Sequence, residues 1–273
     1  MSMESLRRNI PVEKALSNNL LFEIIPMFSF FKKKKPLPQA HDLSVLKCDM
    51  HSHLVPGIDD GSPDVETSVV LIEGLMKLGY KKIITTPHLM ADLYPNNRTT
   101  IMNGYDKLVR ELERRNIRIP VRAAAEYFLD DHFDSLLDKN EPLLTIKDNL
   151  VLVEFSFASI PIDYKQKIFN LQMKGYKPVL AHPERYAYLH NKPEVYEELR
   201  DAGCLLQVNL LSLIGYYGKS IALAAEKLYK MRCIDLLGTD MHHARHLENL
   251  NVTLLHQKVK DISDNLTLLN DSL

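Results

Sequence analysis

Two histidines two residues apart, His51 and His53, follow a short apolar run, and an Asp-x-His pair, Asp240 and His242, follows another. On an extended backbone, residues i and i+2 project to the same side. Each pair therefore aims two donors into one space. Either pair alone would serve equally as a hydrogen-bonded strand end; the two together favour a metal centre. Further ligand-type residues end other apolar runs: His88, Glu126 after three alanines, Glu154 inside Val153-Glu154-Phe155, and His182. A lone carboxylate in such surroundings is costly to bury unpaired, which leaves an internal ion pair with arginine or a divalent cation. A mixed N/O donor set suits Mn, Fe or Zn better than Mg or Ca. Asp59 and Asp60 precede Gly61 and read first as a turn, though either lies close enough to His53 to reach a metal. Arg185 and Arg245 are cationic candidates near the same rim, and phosphoryl groups call for such bidentate donors.

The elements that must position these residues alternate along the chain. Strand candidates are residues 46–50, 82–86, 121–125, 150–155, 178–181, 204–209 and 234–238, seven in all. Their continuous apolar character suits parallel strands buried on both faces. Between them lie helical patterns. Ser62-Pro63 offers an N-cap with proline at the first helical position, and Val65, Val69, Ile72 and Met76 recur at helical spacing until Gly79. Similar stripes run through Ile101, Tyr105, Leu108 and Leu112, and through Tyr164, Ile168 and Leu171, with another helix over 220–231. Strands with helical crossovers predict an α/β fold, a (β/α) barrel first and a doubly wound sheet second. In such barrels the reactive residues gather at the C-terminal ends of the strands, where six of these strands deliver a His, Asp or Glu.

Composition excludes several classes. The chain has 273 residues and a formal net charge of -1, so no basic surface announces nucleic acid. A cysteine phosphatase would need arginine six residues after its nucleophile; Leu54, Leu210 and Thr239 stand there after Cys48, Cys204 and Cys233. The three cysteines read as buried thiols of a reducing, cytoplasmic compartment. No apolar run reaches the length of a spanning helix.

Residues 1–44 fall outside this rhythm and are expected to form an extension, with 45–273 as the domain. Within it, 20–31 is apolar and is followed by Lys32 to Lys35. A secretory signal places its basic residues before the apolar stretch. The plain reading is a loosely docked tail; the sharper one is a weak membrane-surface contact, aromatics at the interface and lysines on anionic headgroups. Met27 is an alternative start.

The motifs Asp49-Met50-His51-Ser52-His53, Asp59-Asp60-Gly61, Thr86-Pro87-His88, Ala125-Glu126, Val153-Glu154-Phe155, His182-Pro183-Glu184-Arg185 and Asp240-Met241-His242 occur in this order. The chain resembles the PHP phosphoesterases, and within them the bacterial protein-tyrosine phosphatases encoded with capsular and exopolysaccharide genes. The resemblance covers roughly residues 45–270 and implies a distorted (β/α)7 barrel with three metal ions. It implies a first ion on His51, His53, Glu126 and Asp240, a second on Glu126, Glu154 and His182, and a third on Asp60, His88 and His242. Related histidinol-phosphate phosphatases usually place histidine where Asp60 stands, which favours the tyrosine-phosphatase branch. By the same resemblance Arg185 and Arg245 would hold phosphoryl charge, and His242 or a water would assist the leaving group. The implied substrate is the tyrosine-rich tail of a membrane-associated autokinase. A small-molecule phosphatase is the nearest alternative, and a metal-bound module without turnover the next.

Overall fold

The computed structural model describes residues 42–273. The 20–31 segment, the lysine run and most of the expected extension lie outside the described residues.

Among the described residues, nine short strands, all in parallel pairs, form two sheets. The first holds β1 (Cys48–Asp49), β2 (Lys82–Thr85) and β4 (Val121–Ala123); the second runs β3 (His88–Leu89), β5 (Glu126–Phe128), β6 (Leu150–Glu154), β7 (Lys177–Ala181), β8 (Leu205–Asn209) and β9 (Leu236–Gly238). Seven strands were expected. The two further strands lie just past two of those segments: β3 follows β2 after Thr86-Pro87, and β5 follows β4 after Ala124-Ala125. Pro87 has no N–H to give a ladder, and its carbonyl instead accepts from Glu126 at 3.0 Å. The outermost strands also meet. Ser52, just past β1, pairs in parallel with Met241, just past β9, through His53 N–H to Met241 O and Asp240 N–H to His51 O, both 2.8 Å.

Helices follow the strands: α1 (Val65–Lys77), α2 (Arg98–Arg114), α3 (Asp131–Asp138), α4 (Tyr164–Met173), α5 (Pro193–Asp201), α6 (Lys219–Lys230), α7 (Ala244–Leu250) and α8 (Thr253–Asn265). The first starts later than Ser62-Pro63 suggests. Asp64 is its cap, accepting from Thr67 N–H at 2.8 Å, while the Ser62 backbone is committed to the loop, bonding Gly57 and His53. The large core lies between strands and helices. A smaller one consists mostly of strand residues, including Cys48, Ile84, Leu152, Val179 and Leu236. Leu43, in the stretch expected outside the domain, is fully buried, and its N–H bonds Leu78 O at 2.7 Å. Among the described residues no helix is long and apolar enough to cross a membrane.

Candidate metal centre

The strand ends bring the expected residues together. His51 and His53 follow β1, His88 opens β3, Glu126 opens β5, Glu154 closes β6, His182 follows β7, and Asp240 and His242 follow β9. All but Asp60 and His242 are buried. Two glycines near these donors, Gly61 in a loop and Gly238 at the end of β9, have no room for a side chain. A Cβ on Gly61 would lie 2.2 Å from the His53 carbonyl oxygen, and one on Gly238 would lie 2.8 Å from both His51 Cβ and Gln207 Nε2. His182 and Asp240 each adopt left-handed backbone conformations, with φ of 34° and 50°. For non-glycine residues this costs of order 1–3 kcal/mol, and it turns both chains sharply at the rim.

The donor atoms are spaced too widely for good hydrogen bonds and suitably for a shared ion. His51 Nε2 lies 3.3 Å from Glu126 Oε2 and 3.5 Å from Asp240 Oδ1; His53 Nε2 lies 3.4 and 3.5 Å from the same two oxygens. Donors about 2.0–2.2 Å from one cation stand roughly 3.3–3.6 Å apart when tetrahedrally disposed. A second set has His182 Nε2 at 3.2 Å from Glu126 Oε1 and 3.5 Å from Glu154 Oε1. A third has Asp60 Oδ1 at 3.5 Å from both His88 Nε2 and His242 Nε2, with a nitrogen of His53 also within 4.8 Å of the group. His88 stands between sets, because its Nδ1 faces Glu126 Oε2 at 3.2 Å and Glu154 Oε2 at 3.6 Å. Among the described residues, the groups Glu126 meets in ion-pair range are all histidines, so the arginine alternative for this carboxylate is not realised. Glu126 Oε1 and His88 Nδ1 are buried without a hydrogen-bond partner. Buried polar atoms are normally satisfied, and a cation would satisfy the carboxylate oxygen.

The surroundings fix the histidine tautomers. His51 Nδ1 bonds Gln207 Oε1 at 2.7 Å, Gln207 Nε2 donates to Asn209 Oδ1 at 2.9 Å, and Asn209 Nδ2 donates to Asp240 Oδ2 at 2.7 Å. His53 Nδ1 bonds Asp59 Oδ2 at 2.9 Å, and that oxygen also takes the His88 N–H at 3.1 Å. His242 Nδ1 bonds the Asp240 carbonyl at 2.8 Å. In each case the acceptor requires the proton on Nδ1 and leaves an Nε2 lone pair facing the cluster.

Burial alone would raise every carboxyl here. For Asp240, His51, His242 and Arg185 more than offset it and hold the group well below the usual carboxylate range. Glu126 is likewise held low by His51, His88 and His182. Glu154 goes the other way: burial and then the charges of Glu126 and Asp240 push it well above its ordinary value. Burial brings His182 down to about 4, so it is neutral and ready to bind a cation. On His53, burial is outweighed by Asp59 and Glu126, and its pKa rises. Proton and cation compete for such donors.

The cluster opens on a cavity of about 360 Å³. Arg185 lines it, its guanidinium 4.8 Å over the Phe157 ring and 4.6 Å over the Tyr217 ring, with Nη1 donating to Asp240 Oδ2 at 2.9 Å. Arg245 does not line it; this residue is exposed on α7, and the neighbouring buried His246 occupies the rim. Sequence reasoning missed Gln207 and Asn209. Their signal was legible: two polar residues at i and i+2 on one face of an otherwise apolar strand. Phe157, Tyr217 and Tyr94 carried no such signal. All three cysteines are buried and none lines the cavity.

The model of a family described as capsular polysaccharide synthesis, CpsB/CapC, matches residues 47–262. The chain is similar to the tyrosine-protein phosphatase YwqE of Bacillus subtilis (strain 168), 30% identical over 198 residues that cover 72% of this chain and 78% of that protein. It is 29% identical over 207 residues to the tyrosine-protein phosphatase CpsB of Streptococcus agalactiae serotype V, covering 75% of this chain and 84% of the other. Among solved structures it resembles one from a study of YwqE from Bacillus subtilis and CpsB from Streptococcus pneumoniae, described as metal-dependent tyrosine phosphatases. That match has a TM-score of 0.68 at 26% identity and covers 81% of this chain and 96% of that chain.

Proposed function

The chain belongs to the CpsB/CapC family of capsular polysaccharide synthesis and is a metal-dependent tyrosine-protein phosphatase; from that premise we propose how its own residues do the work and on what substrate. The observation that carries the proposal is the set of His and carboxylate donors 3.2–3.6 Å apart, with orphaned buried atoms among them. Three divalent ions, Mn foremost, are assigned to it: one on His51, His53, Glu126 and Asp240, one on Glu126, Glu154 and His182, one on Asp60, His88 and His242. Bound there, divalent ions would supply an activated water and neutralise phosphoryl oxygens.

Arg185 binds the phosphoryl group. The Phe157 and Tyr217 rings hold its guanidinium plane and Asp240 fixes one edge, leaving the other donors for equatorial oxygens, where charge develops in the transition state. Arg245, exposed on α7 and outside the cavity lining, is not given this role. His242 serves better as a ligand than as an acid, since with Nδ1–H bonded to the Asp240 carbonyl it could give a proton from Nε2 only as imidazolium. A phenol with a pKa of about 10 leaves without much help. The ring closed by the Ser52–Met241 bridge is read as a distorted (β/α)7 barrel, and residues 1–44 as an extension dispensable for chemistry. The substrate is phosphotyrosine on the flexible tail of a membrane-associated tyrosine autokinase, handled on the cytoplasmic side. Steady-state turnover of phosphotyrosine peptides against histidinol phosphate, with metal analysis of the same preparation, tests this. Faster turnover of histidinol phosphate would replace the protein substrate by a small molecule.

A further inference from the structure

Large apolar side chains stand at the mouth of this charged cavity. Leu93 is 68% exposed and Phe157 49% exposed, yet both line it. Neither is placed casually. Leu93 sits in a loop closed by Met90 N–H to Tyr94 O at 3.1 Å and Tyr94 N–H to Met90 O at 2.9 Å. The Asn96 amide ties this loop down, donating to the carbonyls of His88 at 2.8 Å and Ile58 at 2.9 Å. Tyr94 stacks on His88 with centroids 5.3 Å apart and planes at 11°. Phe157 stacks on His182 at 5.6 Å and 17°. These two histidines meet opposite oxygens of the same carboxylates. His88 faces Oε2 of Glu126 and Glu154, whereas His182 faces Oε1 of both. The two aromatic side chains therefore stack on histidines that share the same two carboxylates, and both line the cavity, with Leu93 next to Tyr94 in the chain.

We propose that Leu93, Tyr94 and Phe157 form a slot that takes the phenyl ring of phosphotyrosine, so that preference for an aryl phosphate is built into the mouth and does not rest on the leaving group alone. The inference rests on the phosphatase reading and names its specificity residues. With the phosphoryl group held at Arg185 and the donor cluster, the next atoms outward must cross this mouth. A flat arene buries apolar surface there against leucine and aromatic carbon. A phosphoserine side chain brings a single methylene and leaves the same surface wet.

Leaving-group chemistry is removed from the test by using phosphonates, which are not hydrolysed. Calorimetry on the metal-loaded full chain would compare phenylphosphonate with methylphosphonate, alongside turnover of a phosphotyrosine peptide. The parent should bind the phenyl compound about 10-fold more tightly. Leu93→Ala should shrink that ratio about 3- to 5-fold and raise KM for the peptide more than it lowers kcat, while Leu93→Met should restore both. Equal binding of the two phosphonates by the parent, or a ratio unmoved in Leu93→Ala, overturns the slot, including the case in which both affinities fall together. Absence of any peptide turnover by the parent is a different result; it removes the phosphatase reading, and the slot's assignment to phosphotyrosine with it.

Discussion

Arg185 and Asn209 hold the same oxygen of Asp240: Nη1 of the arginine at 2.9 Å and Nδ2 of the asparagine at 2.7 Å from Oδ2, which turns Oδ1 towards His51 and His53. The two anchors should separate experimentally. Arg185→Ala removes the cavity cation and leaves the asparagine bond, so kcat/KM should drop about 100-fold or more with metal content nearly kept. Asn209→Ala leaves the arginine but breaks the path from Asp240 to Gln207 and His51, so metal affinity should fall about 10- to 100-fold. Parallel kinetics and metal analysis on the two variants check this; the same pattern in both would mean that the anchors are equivalent.

Glu126 is the carboxylate most shared, with both oxygens facing histidines. Glu126→Gln keeps its shape and removes its charge, so metal content and rate should fall together. Asp64→Asn is the control. Asp64 caps α1 through Thr67 N–H, and asparagine caps equally well. Stability should change by less than about 0.5 kcal/mol and activity should be unaffected.

Chelation should abolish turnover and also lower the melting temperature. Glu126, Glu154 and Asp240 are three buried carboxylates crowded together, and burial followed by that crowding pushes Glu154 up. A ligand that binds the folded state alone stabilises it by about 2.7 kcal/mol at 100 times its Kd. Differential scanning calorimetry with and without added Mn²⁺ reads the shift. An unchanged melting temperature on full metal loading would disconnect the carboxylate cluster from cation binding.

Thiol reagents should do little at neutral pH. Burial pushes Cys48 and Cys204 up to about 12, and thiolate is the reactive form. Iodoacetamide at pH 7 should leave more than about 80% of activity, monitored with mass spectrometry of the three sites.

Shortening the chain should separate fold from chemistry. A chain beginning at Pro36 should keep its turnover on a short phosphopeptide. One beginning at Ser44 also loses the buried Leu43, at a cost of roughly 1.5–3 kcal/mol, and should melt earlier while keeping kcat at low temperature. Denaturant titrations and peptide turnover of the two chains give both numbers.

The sequence by itself determined the donor types and, for all the strand-end donors but His88 and Glu126, the strand ends that carry them; β3 and β5, which those two open, it did not show. A ligand at a strand terminus is a local fact. The apolar run says where the strand stops, and the i, i+2 spacing of His51 and His53 says that both side chains point one way. Gln207 and Asn209 were legible by the same rule. Tertiary structure alone decided the rest. That His88 faces one donor set with Nδ1 and another with Nε2 depends on β3 pairing with β5, a contact between residues 38 positions apart. Arg185 and Arg245 look alike as cationic residues near rim motifs. One is clasped between Phe157 and Tyr217, while the other lies on the exposed side of α7. No local pattern separates them, because a long flexible side chain takes its place from what packs around it. The same reason hid Leu93 and Phe157, whose apolar character signals burial in a sequence and whose exposure at a charged mouth can be seen only once the chain has folded.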